Sequence, residues 1–381
     1  MRTALLVALI LAPLAASSLF SEFELSKWLT VGIAISVAAV LAWRQDIDGF
    51  LRQRKSLFML IPAALGMAAI SLIASWATDP QSAWIDSARL GLPLLLIPLV
   101  AFAWRDHSRS QALLVGALIP TGLTLCQLLL DYGFFPIDVP HLKGEWTATI
   151  GNGALVGEAA LVLMGFLILW ARSFEKTRGI LLAVVAGIPT LLLVYISDSR
   201  AVWLGFLVFS LSLVILEATN RKKEDAGARS TPLLRILGIL VGLLVLVILL
   251  APENSLQTSF AKRVSSIVDP EHPTNIVRTE LASDAISLWS QNKMIGVGGG
   301  RFGSEHNRVR QIREWSISGF SSRVDEPHNE YLRFLSEYGI FGSAIVIALA
   351  IGLIMSLWRR RSCEFARMAL AIWIGVFLIA T

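Results

Sequence analysis

Apolar runs of about twenty residues recur along the whole chain and are separated by short polar loops. A helix of that length matches the hydrocarbon core of a bilayer, which is about 30 Å thick. The predicted spans lie at about 4–20, 27–43, 57–76, 84–104, 110–134, 148–171, 179–197, 201–218, 233–251, 331–357 and 366–381. The pattern therefore predicts an all-α fold, a polytopic helical membrane protein with about 11–12 transmembrane helices.

Positive charge alternates between the predicted loops. The basic loops are 44–56, 105–109, 172–178, 219–232 and 358–367. The intervening loops 21–26, 77–83 and 135–147 contain only one Lys or Arg between them, Lys143. Because cytoplasmic loops carry the excess of Lys and Arg, the N-terminus is predicted to be cytoplasmic and the long polar segment 252–330 lies on the other side.

This organisation divides the chain into nine spans within 1–251, a polar cap over 252–330, and the last spans within 331–381. Within the cap, Ile276 to Gln291 is predicted to form an amphipathic helix. Its apolar face would lie on the membrane surface and would carry Val277, Leu281, Ile286, Leu288 and Trp289. Arg278, Glu280 and Asp284 would point elsewhere. A glycine-rich stretch, Gly296–Gly300, follows and is predicted to be a tight turn.

Composition narrows the function classes. The chain is 55% hydrophobic and 16% charged, with a mean hydropathy of +0.66, which no soluble domain could bury. A net charge of +5 could suggest nucleic acid, but the basic residues lie in short loops as membrane topology requires. The two cysteines, Cys126 and Cys363, indicate neither a disulfide framework nor a metal site.

Three arginines are candidates for binding an anion. Arg200 follows Ser199 at the outer junction of two predicted spans, where its guanidinium and the serine hydroxyl could bind phosphate oxygens. The alternative is an interfacial anchor. Arg89 lies inside span 84–104, where a charged side chain is a functional candidate, although Asp86 one turn away could pair with it. Arg278 lies on the amphipathic helix, and its simplest role is to face water.

His328 is the candidate catalytic residue. An imidazole can accept a proton from an attacking hydroxyl near neutral pH, and Asp325 or Glu326 could orient it. Pro327 is predicted to place His328 near the start of the helix that re-enters the membrane. The alternatives are a histidine that caps the helix or one that is satisfied at the interface.

Three stretches resemble the O-antigen ligase and polymerase superfamily. They are Ser-Asp-Ser-Arg-Ala-Val-Trp-Leu-Gly at 197–205, Arg278 followed by Gly-Val-Gly-Gly-Gly-Arg-Phe at 296–302, and His-Asn-Glu-Tyr-Leu through Glu-Tyr-Gly-Ile-Phe-Gly at 328–342. The resemblance implies a glycosyltransferase that uses a polyprenyl-diphosphate donor and needs no metal or other cofactor. Arg200 and Arg278, with Arg89 as a further candidate, would hold the diphosphate, and His328 would be the general base. Asn329 and Ser199 would support them.

The resemblance further implies transfer of O-antigen from undecaprenyl diphosphate to lipid A–core, at the periplasmic face of the bacterial inner membrane. Direct attack by the acceptor hydroxyl would invert the anomeric centre. A polymerase, or a protein O-oligosaccharyltransferase, would use the same donor and the same residues. A transporter or lipid-binding membrane protein is the alternative without catalysis, and the intramembrane charges Arg89 and Glu158 favour it. No nucleic-acid partner is expected.

Overall fold

The structure is a computed structural model, and it describes part of the chain. The residues it describes are 33, 35–42, 44–45, 47–75, isolated positions between 85 and 122, 153–172, 174, 176–196, 199–221, 269–319, 324 and 326–379. Within these residues the chain is helical and contains no strand, so the all-α prediction is confirmed there. The predicted spans at 4–20, 110–134 and 233–251 lie almost wholly outside them.

The helices follow one another along the chain as α1 (Ile47–Gln53), α2 (Lys55–Phe58), α3 (Leu60–Ser75), α4 (Gly153–Ala171), α5 (Lys176–Ile196), α6 (Arg200–Arg221), α7 (Pro273–Gln291), α8 (Phe302–His306), α9 (Ile312–Ser318), α10 (Glu330–Arg359) and α11 (Glu364–Ile379). Each predicted span that falls in the described ranges coincides with a helix to within a few residues. Two stretches there, Ala201–Thr219 and Glu330–Arg359, are long and apolar enough to cross a membrane.

The chain divides into two compact units, and the second comprises 107–264 and 352–379. In this unit α4 packs against α5 and α11, and α11 packs against α6. Arg172, which follows α4, pairs with Glu217 of α6 at 2.9 Å and with Glu364 of α11 at 2.7 Å. Arg367 also pairs with Glu217, at 3.3 Å. The ends of α4, α6 and α11, next to three loops predicted to share one side of the membrane, are therefore joined by ion pairs.

The first unit contains residues 1–106, 265–351 and 380–381. Its polar part is built around α7, which contacts both α8 and α9. His272 caps α7 by accepting a hydrogen bond from the amide of Thr274 at Nδ1, and Pro273 occupies the first turn, where it needs no backbone partner. A small core of Ala285, Leu288, Val297 and Phe302 lies beneath them.

The prediction that the apolar side of α7 faces the membrane is wrong in two respects. Leu281 and Leu288 are buried inside this unit and do not lie on an outer surface. Asp284, predicted to point away from them, is fully buried on the same side of the helix. Asp284 can occupy the interior because His306 of α8 pairs with it at 2.9 Å between Nε2 and Oδ2.

Candidate functional site

Helix α10 is broken at Gly339, where φ is 62° and ψ is −161°. A helix broken in this way leaves amide and carbonyl groups without their partners four residues away. Here they bond to the segment that enters the glycine-rich turn. The amides of Ile340 and Phe341 donate to the carbonyls of Lys293 and Met294 at 2.9 and 3.2 Å.

The turn also donates hydrogen bonds to α10. The amides of Val297 and Gly298 donate to the carbonyls of Ser336 and Glu337, both at 2.9 Å. Four backbone hydrogen bonds thus join the turn to the break in α10. The prediction of a tight turn at Gly296–Gly300 is confirmed, with positive φ at Gly296, Gly298 and Gly300. Because Val297 and Gly298 already donate to α10, their amides are not available to a phosphate.

Glu337 is the buried carboxylate of this junction. It is 1% exposed, and its Oε1 accepts a hydrogen bond from the amide of Phe302 at 3.1 Å. Its Oε2 accepts from Nε of Arg333 at 3.3 Å. Arg333 also pairs with Glu326 at 2.9 Å and Glu330 at 3.4 Å. These contacts connect the first residue of α8 to the chain on both sides of His328.

His328 lies two residues before α10 begins, as predicted from Pro327. It is exposed, and its φ of 52° is the one positive value among the described residues other than glycine. Pro327 before it is buried. Asn329 after it caps the helix, because its Oδ1 accepts a hydrogen bond from the amide of Leu332 at 3.0 Å. His328 is therefore a solvent-facing imidazole held in an uncommon backbone conformation between two anchored neighbours.

One of the two carboxylates expected to orient His328 forms an ion pair with another residue. Glu326 is committed to Arg333, as described above. Asp325 falls outside the described part of the chain. Among the described residues, the backbone at His328 and the Asn329 cap of α10 hold the candidate base in place.

A second buried polar group lies behind the turn. His306 pairs with Asp284 and stacks on Phe302, with ring centroids 5.2 Å apart. Burial raises the pKa of Asp284, and it outweighs the opposing effect of the hydrogen bond and charge of His306. Burial also opposes the ionisation of Glu314, but hydrogen bonds from Arg310 and Ser318 together lower its pKa.

The candidate arginines are distributed over both units. Arg278 is exposed on the second turn of α7, in the same compact unit as His328. Arg200 is the first residue of α6 in the other unit, and the carbonyl of Ser199 accepts a hydrogen bond from the amide of Trp203 at 3.2 Å. Arg89 is not among the residues described.

Several residues of the site were missed from the sequence. Arg333 could have been found, since Glu330 and Glu337 stand three residues before and four residues after it, the spacing of ion pairs on a helix. His306 and Asp284 are 22 residues apart, and no local pattern predicts their pairing. The backbone hydrogen bonds between the break at Gly339 and the turn could not be predicted, because the sequence offers only the glycines as an indication.

Part of the chain matches a known protein family. Residues 185–347 match the family model described as O-Antigen ligase. The resemblance to the O-antigen ligase and polymerase superfamily is therefore confirmed for this segment, which contains Arg200, Arg278 and His328. The match supports a glycosyl-transfer role in polysaccharide assembly and does not distinguish a ligase from a polymerase. No curated protein matches the chain.

Proposed function

We propose that the protein is an O-antigen ligase of the bacterial inner membrane. It would transfer a glycan from undecaprenyl diphosphate to a sugar hydroxyl of lipid A–core on the periplasmic face. The observation that carries this proposal is the family match, because the matched segment holds each candidate residue that the structure describes. The exposed His328 beside a rigid junction is the structural feature that supports it.

The proposed reaction is a direct displacement at the anomeric carbon. The acceptor hydroxyl oxygen forms a bond to that carbon, and the bond from the carbon to the diphosphate oxygen breaks. The hydroxyl proton moves to the imidazole of His328, and the electron pair leaves with the undecaprenyl diphosphate. Attack opposite to the leaving group inverts the anomeric configuration, which NMR of the product measures; a retained configuration would contradict this step.

The leaving group explains the need for cations. Negative charge develops on the diphosphate as the bond breaks, and a guanidinium presents two parallel donors to phosphate oxygens. Arg200 and Arg278 are assigned this role, with Arg89 as a further candidate and Ser199 as a hydroxyl donor. The bond to the diphosphate is already activated, so the reaction requires no nucleotide.

Placement in the membrane is part of the proposal. Two helices long enough to span a bilayer support it, as do the ion pairs that join the ends of α4, α6 and α11 next to three basic loops. If that end is cytoplasmic, the start of α6 at Arg200 lies toward the other side of the membrane, as the charge pattern of the loops predicts.

Purified protein in detergent tests the reaction directly. It is mixed with undecaprenyl-diphosphate glycan and lipid A–core, without ATP or divalent metal. Glycan on lipid A–core is the expected product. Glycan that lengthens on its own carrier lipid would establish a polymerase, and no product from folded protein would overturn the assignment as an enzyme of this class.

Arginine variants test the diphosphate site in the same assay. We expect Arg278→Ala to lower transfer by about 100-fold, the usual effect of losing one charged contact to a developing anion. Arg308→Ala is the matched control, because Arg308 is exposed in the same polar segment and pairs with the glutamate Glu305 three residues before it. Equal rates for the two variants would remove Arg278 from the site.

A further inference from the structure

Four large apolar side chains form a solvent-exposed patch at the break in α10. Met294 is 51% exposed and Ile295 37%, while Ile340 and Phe341 across the junction are 45% and 52% exposed. The hydrogen bonds from Ile340 and Phe341 to Lys293 and Met294 hold the two segments side by side. A contiguous apolar patch of this kind marks a surface that binds something apolar.

The break at Gly339 separates two parts of α10 with different composition. The part before it, Glu330–Tyr338, carries Glu330, Arg333 and Glu337. The part after it runs for 19 residues, from Ile340 to Trp358, without a charged residue. At 1.5 Å per residue this part is about 28 Å long, which nearly equals the thickness of the hydrocarbon core.

The far end of this apolar part has the residues that fix a helix at a membrane surface. Arg359, Arg360 and Arg361 follow it directly, and the guanidinium of Arg361 lies 4.7 Å from the centroid of the Trp358 ring. Tryptophan and arginine favour the interface between headgroups and acyl chains. If Trp358 lies at one boundary of the acyl chains, the length of the helix places Ile340 at the other.

We propose that Met294 and Ile295 insert into that second boundary, so that residues 293–296 form a phospholipid-binding anchor for the glycine-rich turn. The backbone bonds to Ile340 and Phe341 place the anchor at the level where the apolar helix leaves the acyl chains. Lys293, exposed beside it, would lie among the lipid phosphates. This inference rests on the membrane placement in the proposed function, but not on the reaction.

The anchor would set the height of the candidate site above the bilayer. The turn is bonded to α10, and the helical part Glu330–Tyr338, about 14 Å long, separates the break from the residues next to His328. A donor lipid has its diphosphate at the headgroup level. An anchor at this position would therefore hold the site at a fixed distance from the diphosphate.

Fluorescence quenching measures the depth of these side chains. Cys126 and Cys363 are replaced by Ser, and a single cysteine at position 295 is labelled with an environment-sensitive fluorophore. The protein is placed in phosphatidylcholine and phosphatidylglycerol vesicles in which some lipids carry a nitroxide near the top of the acyl chain. We expect Ile295→Cys to be quenched by the lipid nitroxide and protected from iodide in the water. Met294→Cys is the second variant, for use if the first one does not fold.

Two matched positions separate the possible outcomes. Ile312→Cys is the control, because Ile312 is 78% exposed and apolar but lies in α9, so iodide should quench it. Ile347→Cys is the reference within the apolar part of α10, where the side chain is 57% exposed. Quenching by lipid at 347 but not at 294 or 295 overturns the anchor and leaves the span intact. No quenching at 347 overturns the span and with it the membrane placement of the proposed function. Equal quenching at 295 and 312 means that the polar segment lies broadly on the membrane, and this also overturns a specific anchor.

Discussion

Gly296 and Gly339 meet backbone against backbone. A Cβ atom on Gly339 would lie 2.6 Å from the amide nitrogen of Gly296, and 2.5 Å from the carbonyl of Met294. A Cβ atom on Gly296 would lie 2.3 Å from the carbonyl of Glu337. Both residues also have φ in the left-handed region, at 72° and 62°. Glycine is required at these two positions for its conformation and for the space.

We therefore expect Gly296→Ala and Gly339→Ala to destabilise the protein severely. Left-handed backbone costs about 1–2 kcal/mol for alanine. The clash is with backbone atoms, which cannot rotate away, so the total loss should exceed about 4 kcal/mol. Thermal unfolding of the detergent-solubilised protein, followed by intrinsic fluorescence, measures the change.

Two other glycines separate strain from clash in this experiment. Gly319 has φ of 90° with nothing within 4 Å of the Cβ position, so Gly319→Ala should cost only the strain. Gly352, in the body of α10, also faces open space, and Gly352→Ala should be neutral or slightly stabilising. A Gly296→Ala protein as stable as Gly319→Ala would contradict the close approach.

Glu337 should contribute more to stability than an exposed glutamate of the same helix. Glu337→Leu leaves the amide of Phe302 and the guanidinium of Arg333 without this acceptor, and we expect a loss of about 3 kcal/mol. Glu330→Leu is the control, since its side chain is 44% exposed and its ion pair with Arg333 should contribute less than about 1 kcal/mol. Chemical denaturation of both variants gives the comparison, and similar losses would show that the junction does not depend on Glu337.

Asn329 can be tested for a role beyond the helix cap. Asn329→Asp keeps an oxygen to accept the hydrogen bond from the amide of Leu332, so stability should change little. Asn329→Ala should lose about 1 kcal/mol with the cap. If the cap is its whole role, the Asp variant transfers glycan at the normal rate. A normally folded Asp variant that has lost activity would instead assign the amide group of Asn329 to the substrate.

The pH dependence of stability should report the ionisation of Glu314. Its pKa is lowered on folding, so its ionised form stabilises the protein above the ordinary carboxyl range, and this contribution is lost as the pH falls. We expect Glu314→Gln to cost about 3 kcal/mol at neutral pH, because it removes one partner of a buried pair with Arg310. The difference between the two proteins should narrow as the pH falls through and below the ordinary carboxyl range.

The titration of Asp284 does not confound this measurement. Its raised pKa acts in the opposite direction, since stability from Asp284 is greatest at low pH and falls as the pH rises. Asp284 is present in both proteins and so largely cancels from their difference. A difference that stays constant with pH would contradict the ionised Glu314.

The positions of helices could be predicted from the sequence because a bilayer imposes length and composition on each span. The helix Glu330–Arg359 differs from the predicted span 331–357 by only a few residues, and the start next to His328 followed from Pro327. Three basic loops, at 172–178, 219–232 and 358–367, are predicted to lie on one side of the membrane, and ion pairs join the helix ends next to them in the second unit.

The polar segment could not be predicted to the same level, because its interior is held by polar pairs. The helical pattern of Leu281, Ile286 and Leu288 indicated an apolar face, but the buried side also holds Asp284, which depends on a partner 22 residues away. The break at Gly339 was not predicted, because the apolar residues after it read as an ordinary continuous span. The role of Arg278 stays a prediction, since the structure adds only that this residue is exposed on α7.

The rate of glycan transfer by His328→Ala tests the central claim most directly. A general base contributes about 100-fold or more to the rate, so we predict at least that loss with undecaprenyl-diphosphate glycan and lipid A–core. His272→Asn is the matched control, because His272 is also in the polar segment and asparagine preserves its helix cap. Transfer by folded His328→Ala at the rate of the control would contradict the assignment of His328 as the base.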